Sequence, residues 1–312
     1  MKNKNARRTA VNKFAVSAPR YFFLISLSYI FLYQIAYMLS QAFKPDNQIY
    51  DPSVVWIPKS FTLDNIKLAC ANMDYVKSLC ATLFIVVGSG LLEVLTCMLM
   101  AYGLARFKFK GNRILFGLVI LTIVVPPQMI IIPTSMNFSH LDFLGVLFGF
   151  FKLTGIDLRP NILDTPLTFY LPALFGVGLR SGLFIFIYRQ FLSKIPHELE
   201  EAAYIDGAGP FKTFASIIIP SSGVVIFTVI IFSVIWHYND YYLSDMYLTE
   251  NRTLAVSLAN ITSTVSTQLV EEDYKRVLQM AGSLVFIAPV LIMYMILQKK
   301  FVQNIDRVGI VG

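Results

Sequence analysis

Residues 196 to 220 read PHELEEAAYIDGAGPFKTFASIIIP, a polar stretch set between two long apolar runs. Pro196 suits the first turn of a helix, where its missing N–H removes no bond, and Glu198, Glu200 and Glu201 bring negative charge to the positive end of the helix dipole. Ala202 and Ala203 continue with good helix formers of almost no bulk. Asp206-Gly207-Ala208-Gly209 then ends the helix, because glycine takes the left-handed conformation of a helix C-terminus, and Pro210 suits the start of the next one. A short exposed helix with a small-residue face results. Such a face admits close approach by another protein's backbone; it also reads as a solvated connector between two membrane helices.

Outward from this stretch the chain is apolar. Of its 312 residues 56% are hydrophobic and 14% charged, and the mean hydropathy is +0.62. That leaves too little polar surface for a soluble globule, and the apolar residues fall in long runs, so an integral membrane protein is expected. The net charge of +7 does not point to nucleic acid, because the basic residues flank apolar runs instead of forming one stripe with interleaved aromatics. Cys70, Cys80 and Cys97 are an odd number without metal-ligand spacing and read as inert thiols. The N-terminus is basic but lacks a small-residue cleavage site after a short apolar core, so the first run reads as a retained helix.

Residues 1–20 form a basic N-terminal segment without an acid, and 21–43 a first span with its basic side in the cytoplasm. Residues 44–78 read as an outer loop ending in a short helix begun near Thr62. The region 79–298 holds five further spans: 79–104, 114–135, 167–188, 221–241 and 280–298. Pro126, Pro127 and Pro133 favour a kink or an early end in the third of the six. Phe143 to Phe151 is too short to cross and reads as an outer interfacial or buried helix. Residues 299–312 form a cytoplasmic tail. The segments assigned inside hold 16 Lys and Arg in 75 residues and those assigned outside 9 in 100, which favours both termini in the cytoplasm. The expected fold is thus an all-α membrane protein of six transmembrane helices, with stretch 196–220 on the cytoplasmic side between spans four and five.

No GxxxxGK[ST] loop occurs, so ATP hydrolysis by that route is excluded. His140, His197 and His237 lack ligand spacing, which argues against a metal centre. Ionisable groups within spans are more informative, since a charge at the bilayer centre costs about 2.5 to 3.5 kcal/mol and faces protein or a water-filled cavity. Glu93 lies mid-span, Arg180 lies in GVGLRSG at 176–182, and Asp240 lies near the outer end of the fifth span. They either line a polar pathway or pair with a neighbouring helix. Trp236, Tyr238, Asn239 and Asp240, with His237, form a polar-aromatic cluster that fits sugar rings and hydroxyls, or equally an interfacial aromatic belt.

The sequence EAAYIDGAG at 201–209 with Ile217-Ile218-Ile219-Pro220 resembles the EAA signature of permease subunits of binding-protein-dependent ABC importers. Glu201, Ala202, Ala203, Gly207, Ile217 and Pro220 match at the family spacing, and Ile219 replaces the usual Leu. AYGLARFKFKG at 101–111 and a W-x-x-N-D-Y segment at 236–241 resemble the carbohydrate uptake branch. Two departures stand: His237-Tyr238 is inserted between Trp236 and Asn239, and the tail ends DRVGIVG where relatives tend to end G-A-V-K-G. The resemblance implies a multi-pass subunit of the bacterial inner membrane, without catalytic residues or a cofactor of its own. Its implied companions are a second permease, two ATPase subunits carrying ATP and Mg, an extracytoplasmic solute-binding protein and a sugar or oligosaccharide. It further implies that 196–220 is a coupling helix docking on the ATPase through Glu200, Glu201, Ala202, Ala203, Asp206, Gly207 and Pro220, with Glu93, Arg180, Trp236, Tyr238, Asn239 and Asp240 as the candidate substrate pathway.

Two other classes compete. An intramembrane enzyme acting on lipid-linked sugars would use Glu93 or Asp240 and need neither ATP nor partners. A secondary transporter would show inverted repeats and paired broken helices, which the sequence does not display.

Overall fold

The computed structural model describes residues 2–49, 51, 56–142, 145–155, 157–263 and 272–309, and all regular structure among them is helical. The start of the short run expected from Phe143 and the last three residues of the tail lie outside the described residues. In chain order the helices are α1 (Lys2–Ala42), α2 (Asp46–Ile49), α3 (Asp64–Asn72), α4 (Tyr75–Arg106), α5 (Asn112–Val124), α6 (Pro127–Ser139), α7 (Val146–Thr154) and α8 (Leu167–Leu174). There follow α9 (Ser181–Leu192), α10 (Glu198–Ile205), α11 (Pro210–Thr213), a π-helical turn (Phe214–Ile218), α12 (Ile219–Ser221), α13 (Gly223–Tyr238), α14 (Tyr242–Tyr247), α15 (Leu254–Ala259) and α16 (Glu272–Gly309).

Three helical stretches are long and apolar enough to cross a membrane: Pro19–Ala42, Tyr75–Arg106 and Glu272–Gln298. Two bent pairs also qualify, α5 with α6 at 100° and α11–α12 with α13 at 78°. The first bend follows from Pro126-Pro127, because a residue before proline is pushed out of the helical region; Val125 is extended at ψ 117° and Pro126 at ψ 135°. At the second, Pro220 has no N–H for the carbonyl of Ser216, and the chain widens into a π turn just before it. The segment expected to run unbroken from Leu167 to Tyr188 is instead two helices. α8 ends where the Val177 N–H reaches the Pro172 carbonyl (2.9 Å) and the Gly176 N–H the Ala173 carbonyl (3.1 Å), a Schellman closure with Gly176 at φ 65°. The short helix α7 buries none of its residues.

The chain divides into two compact units, Met1–Met73 with Asn260–Pro289, and Asp74–Ala259 with Val290–Gly312. In the first, Asn65 Nδ2 donates to the last carbonyl of α1, Ala42 O at 3.4 Å, and to Lys44 O just beyond it at 2.7 Å. Tyr33 packs edge-on against Trp56 with centroids 4.6 Å apart.

In the second unit α4 is the central element, packed by α8, α9 and α13. Lipid offers no hydrophobic drive for helix association, so close packing through small residues supplies it. Gly90 does this here: a β-carbon on it would lie 3.3 Å from Ser233 Oγ of α13. Cys97, Met98, Ala101 and Tyr102 of α4 are buried with Phe184, Ile185, Tyr188 and Leu192 of α9 and with Val225 and Val229 of α13. A second cluster joins Ile85 to Ile131, Phe138, Phe169 and Tyr247.

Candidate functional site

The stretch 196–220 is built on two capping events. α10 opens with Glu198, Glu200 and Glu201 in its first turn. It closes with Ala208 N–H on Ala203 O (2.9 Å) and Gly207 N–H on Tyr204 O (3.1 Å), a second Schellman closure with Gly207 at φ 78°. Pro210 then starts α11. Glu201, Ala202, Asp206, Gly207 and Pro220 are exposed, whereas Glu200 and Ala203 are buried. The exposed face also carries large apolar residues, Ile205 at 86% and Phe211 at 85% relative exposure. Among helices flanked by polar residues such a face marks an interaction site.

Glu200 does not point outward with Glu201. Its carboxylate is paired with Arg106 at the end of α4, Nε to Oε1 2.5 Å, both side chains nearly inaccessible at 3% and 6%. Tyr102 OH donates to Glu200 Oε2 at 3.0 Å. The Arg106 guanidinium also donates to Ile195 O at 2.8 Å and meets His197 Nε2 at 3.2 Å. One arginine therefore ties the end of α4 to the loop before α10 and to α10 itself. No local pattern signals this pairing, since in the sequence Arg106 reads as one more residue of a basic patch.

The intramembrane charges form a second constellation. Glu93 of α4 is fully buried, accepting from Ser233 Oγ of α13 at 2.9 Å and from Ser181 Oγ of α9 at 3.2 Å. His237 Nδ1 lies 3.8 Å away. Glu93 thus joins α4 to α9 and α13; Ser181 and Ser233 could not be picked out from spacing alone. Arg180 precedes α9 in left-handed backbone at φ 65° and places its guanidinium 5.6 Å from the Trp236 ring. Trp236 in turn packs between Phe184 (5.6 Å) and Phe232 (5.4 Å).

Arg180 and His237 line a cavity of about 410 Å³ together with Thr122, Thr134, Thr168 and Tyr247. Tyr238, Asn239 and Asp240 are not among its lining. Tyr238 is buried, Asn239 folds back to donate to Ile235 O at 2.7 Å, and Asp240 caps α14 by accepting from the Ser244 amide (2.8 Å) and hydroxyl (2.9 Å). Of residues 236–240 only His237 lines this cavity, while Asn239 and Asp240 make local hydrogen bonds. Glu93 is buried, and Asp240 is half-buried at the start of α14.

The family described as binding-protein-dependent transport system inner membrane component matches residues 93–307. The chain is 28% identical over 304 residues to a probable starch degradation products transport system permease protein of Thermoanaerobacterium thermosulfurigenes, covering 96% of this chain and 97% of that protein. It is 28% identical over 301 residues to a galactooligosaccharides transport system permease protein of Bacillus subtilis, covering 94% of each. Among solved structures, a chain of a bacterial ABC transporter involved in the import of the acidic polysaccharide alginate superposes with TM-score 0.69 at 19% identity, over 91% of this chain and 96% of that one. With α4 from Glu93 onward, the EAA stretch and α16 to Arg307 all inside the matched region, the chain belongs to the family of inner membrane components of binding-protein-dependent transport systems.

Proposed function

We propose that this chain is a permease subunit of an ATP-driven importer in the bacterial inner membrane, carrying a sugar or oligosaccharide handed over by an extracytoplasmic solute-binding protein. It pairs with a second permease and with two ATPase subunits, on which ATP and Mg act. It spans the membrane six times, with α5–α6, α8–α9 and α11–α13 each counted as one broken span, and keeps both termini in the cytoplasm. The excess of Lys and Arg on the inner segments supports that sidedness, and the carbohydrate systems named for its relatives support the substrate class.

The observation that carries the reading is α10: a short helix with an outward apolar face, bound through a buried Arg106–Glu200 pair to the helix on which the unit is packed. Ala202, Ile205, Gly207 and Phe211 form the docking face, and Glu201 adds a charge for a basic partner residue. When the ATPases close, they push α10, and the buried pair passes that displacement to α4. From α4 it reaches α13 through the Glu93–Ser233 bond and α9 through Glu93–Ser181.

Purifying the tagged chain from its native membrane tests the reading. A second permease, an ATPase and a solute-binding protein should come with it. A chain that purifies alone and processes lipid-linked sugars without ATP would overturn it.

A further inference from the structure

Of the 26 Lys and Arg in the chain, only Arg180 lies within the six spans as read from the sequence, in 167–188. A cation in a membrane span needs an anion or water, and Arg180 is exposed in the isolated chain. The Arg180 side chain has neither an ion pair nor a hydrogen bond among the described residues. Its recorded contact is the Trp236 face, and its side chain lines the 410 Å³ cavity, a volume suited to a small ligand. No Asp or Glu lines that cavity. The nearest acid in the network, Glu93, is sealed behind the Gly178–Ser181 backbone and held by two serines. The Thr122, Thr134 and Thr168 hydroxyls donate to backbone carbonyls of Val119, Ile130 and Thr165, so their protons are committed. The guanidinium is then the strong donor left facing the space. Its planar fork of donors suits two parallel bonds to an oxyanion.

We propose that this cavity selects an anionic saccharide, one bearing a carboxylate or phosphate, and that Arg180 is the residue that recognises the oxyanion. The proposal rests on the sugar-importer reading and narrows it to acidic substrates.

The test is uptake by the complete transporter, with its solute-binding protein, in phosphatidylcholine vesicles. Neutral oligosaccharides are compared with their counterparts oxidised at C6 to uronates, along with sugar phosphates. The wild type should prefer the anionic member of each pair; Arg180→Gln should lower the anionic-to-neutral ratio by about tenfold or more, as expected for losing a charge-assisted bond, and Arg180→Lys should keep part of it. A wild-type preference for neutral sugars would overturn the proposal even if the Gln variant failed to insert. So would equal losses on neutral and anionic substrates, which would place Arg180 against a carboxylate of another subunit. An Arg180 effect that appears only when phosphatidylglycerol is added, for all sugars alike, would assign the site to a lipid headgroup and also overturn it. Absence of uptake for every saccharide would instead sink the sugar-importer reading itself.

Discussion

A β-carbon built on Gly178 would lie 2.7 Å from Glu93 Oε1 and 3.1 Å from the Ala173 backbone, while one built on Gly207 meets no heavy atom within 4 Å. Gly178 is needed for space and Gly207 for its positive φ. Gly178→Ala should therefore cost about 1 to 3 kcal/mol by overpacking, and Gly207→Ala only about 1 kcal/mol of left-handed strain; thermal unfolding of the detergent-purified protein should rank them in that order. The Arg106–Glu200 pair gives a different signature. Removing one partner strands a buried charge and costs about 3 to 5 kcal/mol, whereas replacing both with apolar residues of similar volume is far milder. Arg106→Met with Glu200→Leu should thus unfold at a higher temperature than either single variant, and a double variant less stable than both would show that the pair is not buried as described.

At the scale of elements, close helix contact is what small residues in the spans provide. Gly90 on α4 faces Ser233 at 3.3 Å, and Gly117 on α5 faces nothing within 4 Å. Gly90→Leu is expected to push α13 off α4 and lower the unfolding temperature by the equivalent of about 1 to 3 kcal/mol, with Gly117→Leu near neutral. Much of the element layout could be read from sequence: the Asp206–Gly209 break, the Pro210 start and the Pro126-Pro127 bend are local backbone effects, set by residues adjacent in the chain. The break at 175–180 was legible only as a glycine-rich spot. Gly176 takes the left-handed cap there, and a β-carbon on it would collide with Met100, a neighbour 76 residues away that no local pattern carries. The same limit explains Glu200. Its position in the EAA stretch suggested an outward docking role, and only the folded register shows it turned toward Arg106.

For the whole molecule, the proposed topology of six spans with both ends inside makes a sided prediction. In a chain with Cys70, Cys80 and Cys97 replaced, Asp206→Cys should react with a membrane-impermeant maleimide only when the cytoplasmic face is open, and Asp157→Cys from outside in intact cells. The reverse pattern would invert the topology and leave α10 out of reach of any ATPase. In the proposed mechanism ATP-driven movement enters through α10. It is tested most directly by measuring ATP-dependent saccharide uptake and ATPase recovery for the complete transporter carrying Ile205→Asp. Ile205 is 86% exposed, so the substitution should change folding stability by no more than about 0.5 kcal/mol. The prediction is a protein inserted at wild-type levels that has lost uptake and no longer retains its ATPase. Uptake and ATPase retention equal to wild type would contradict the account.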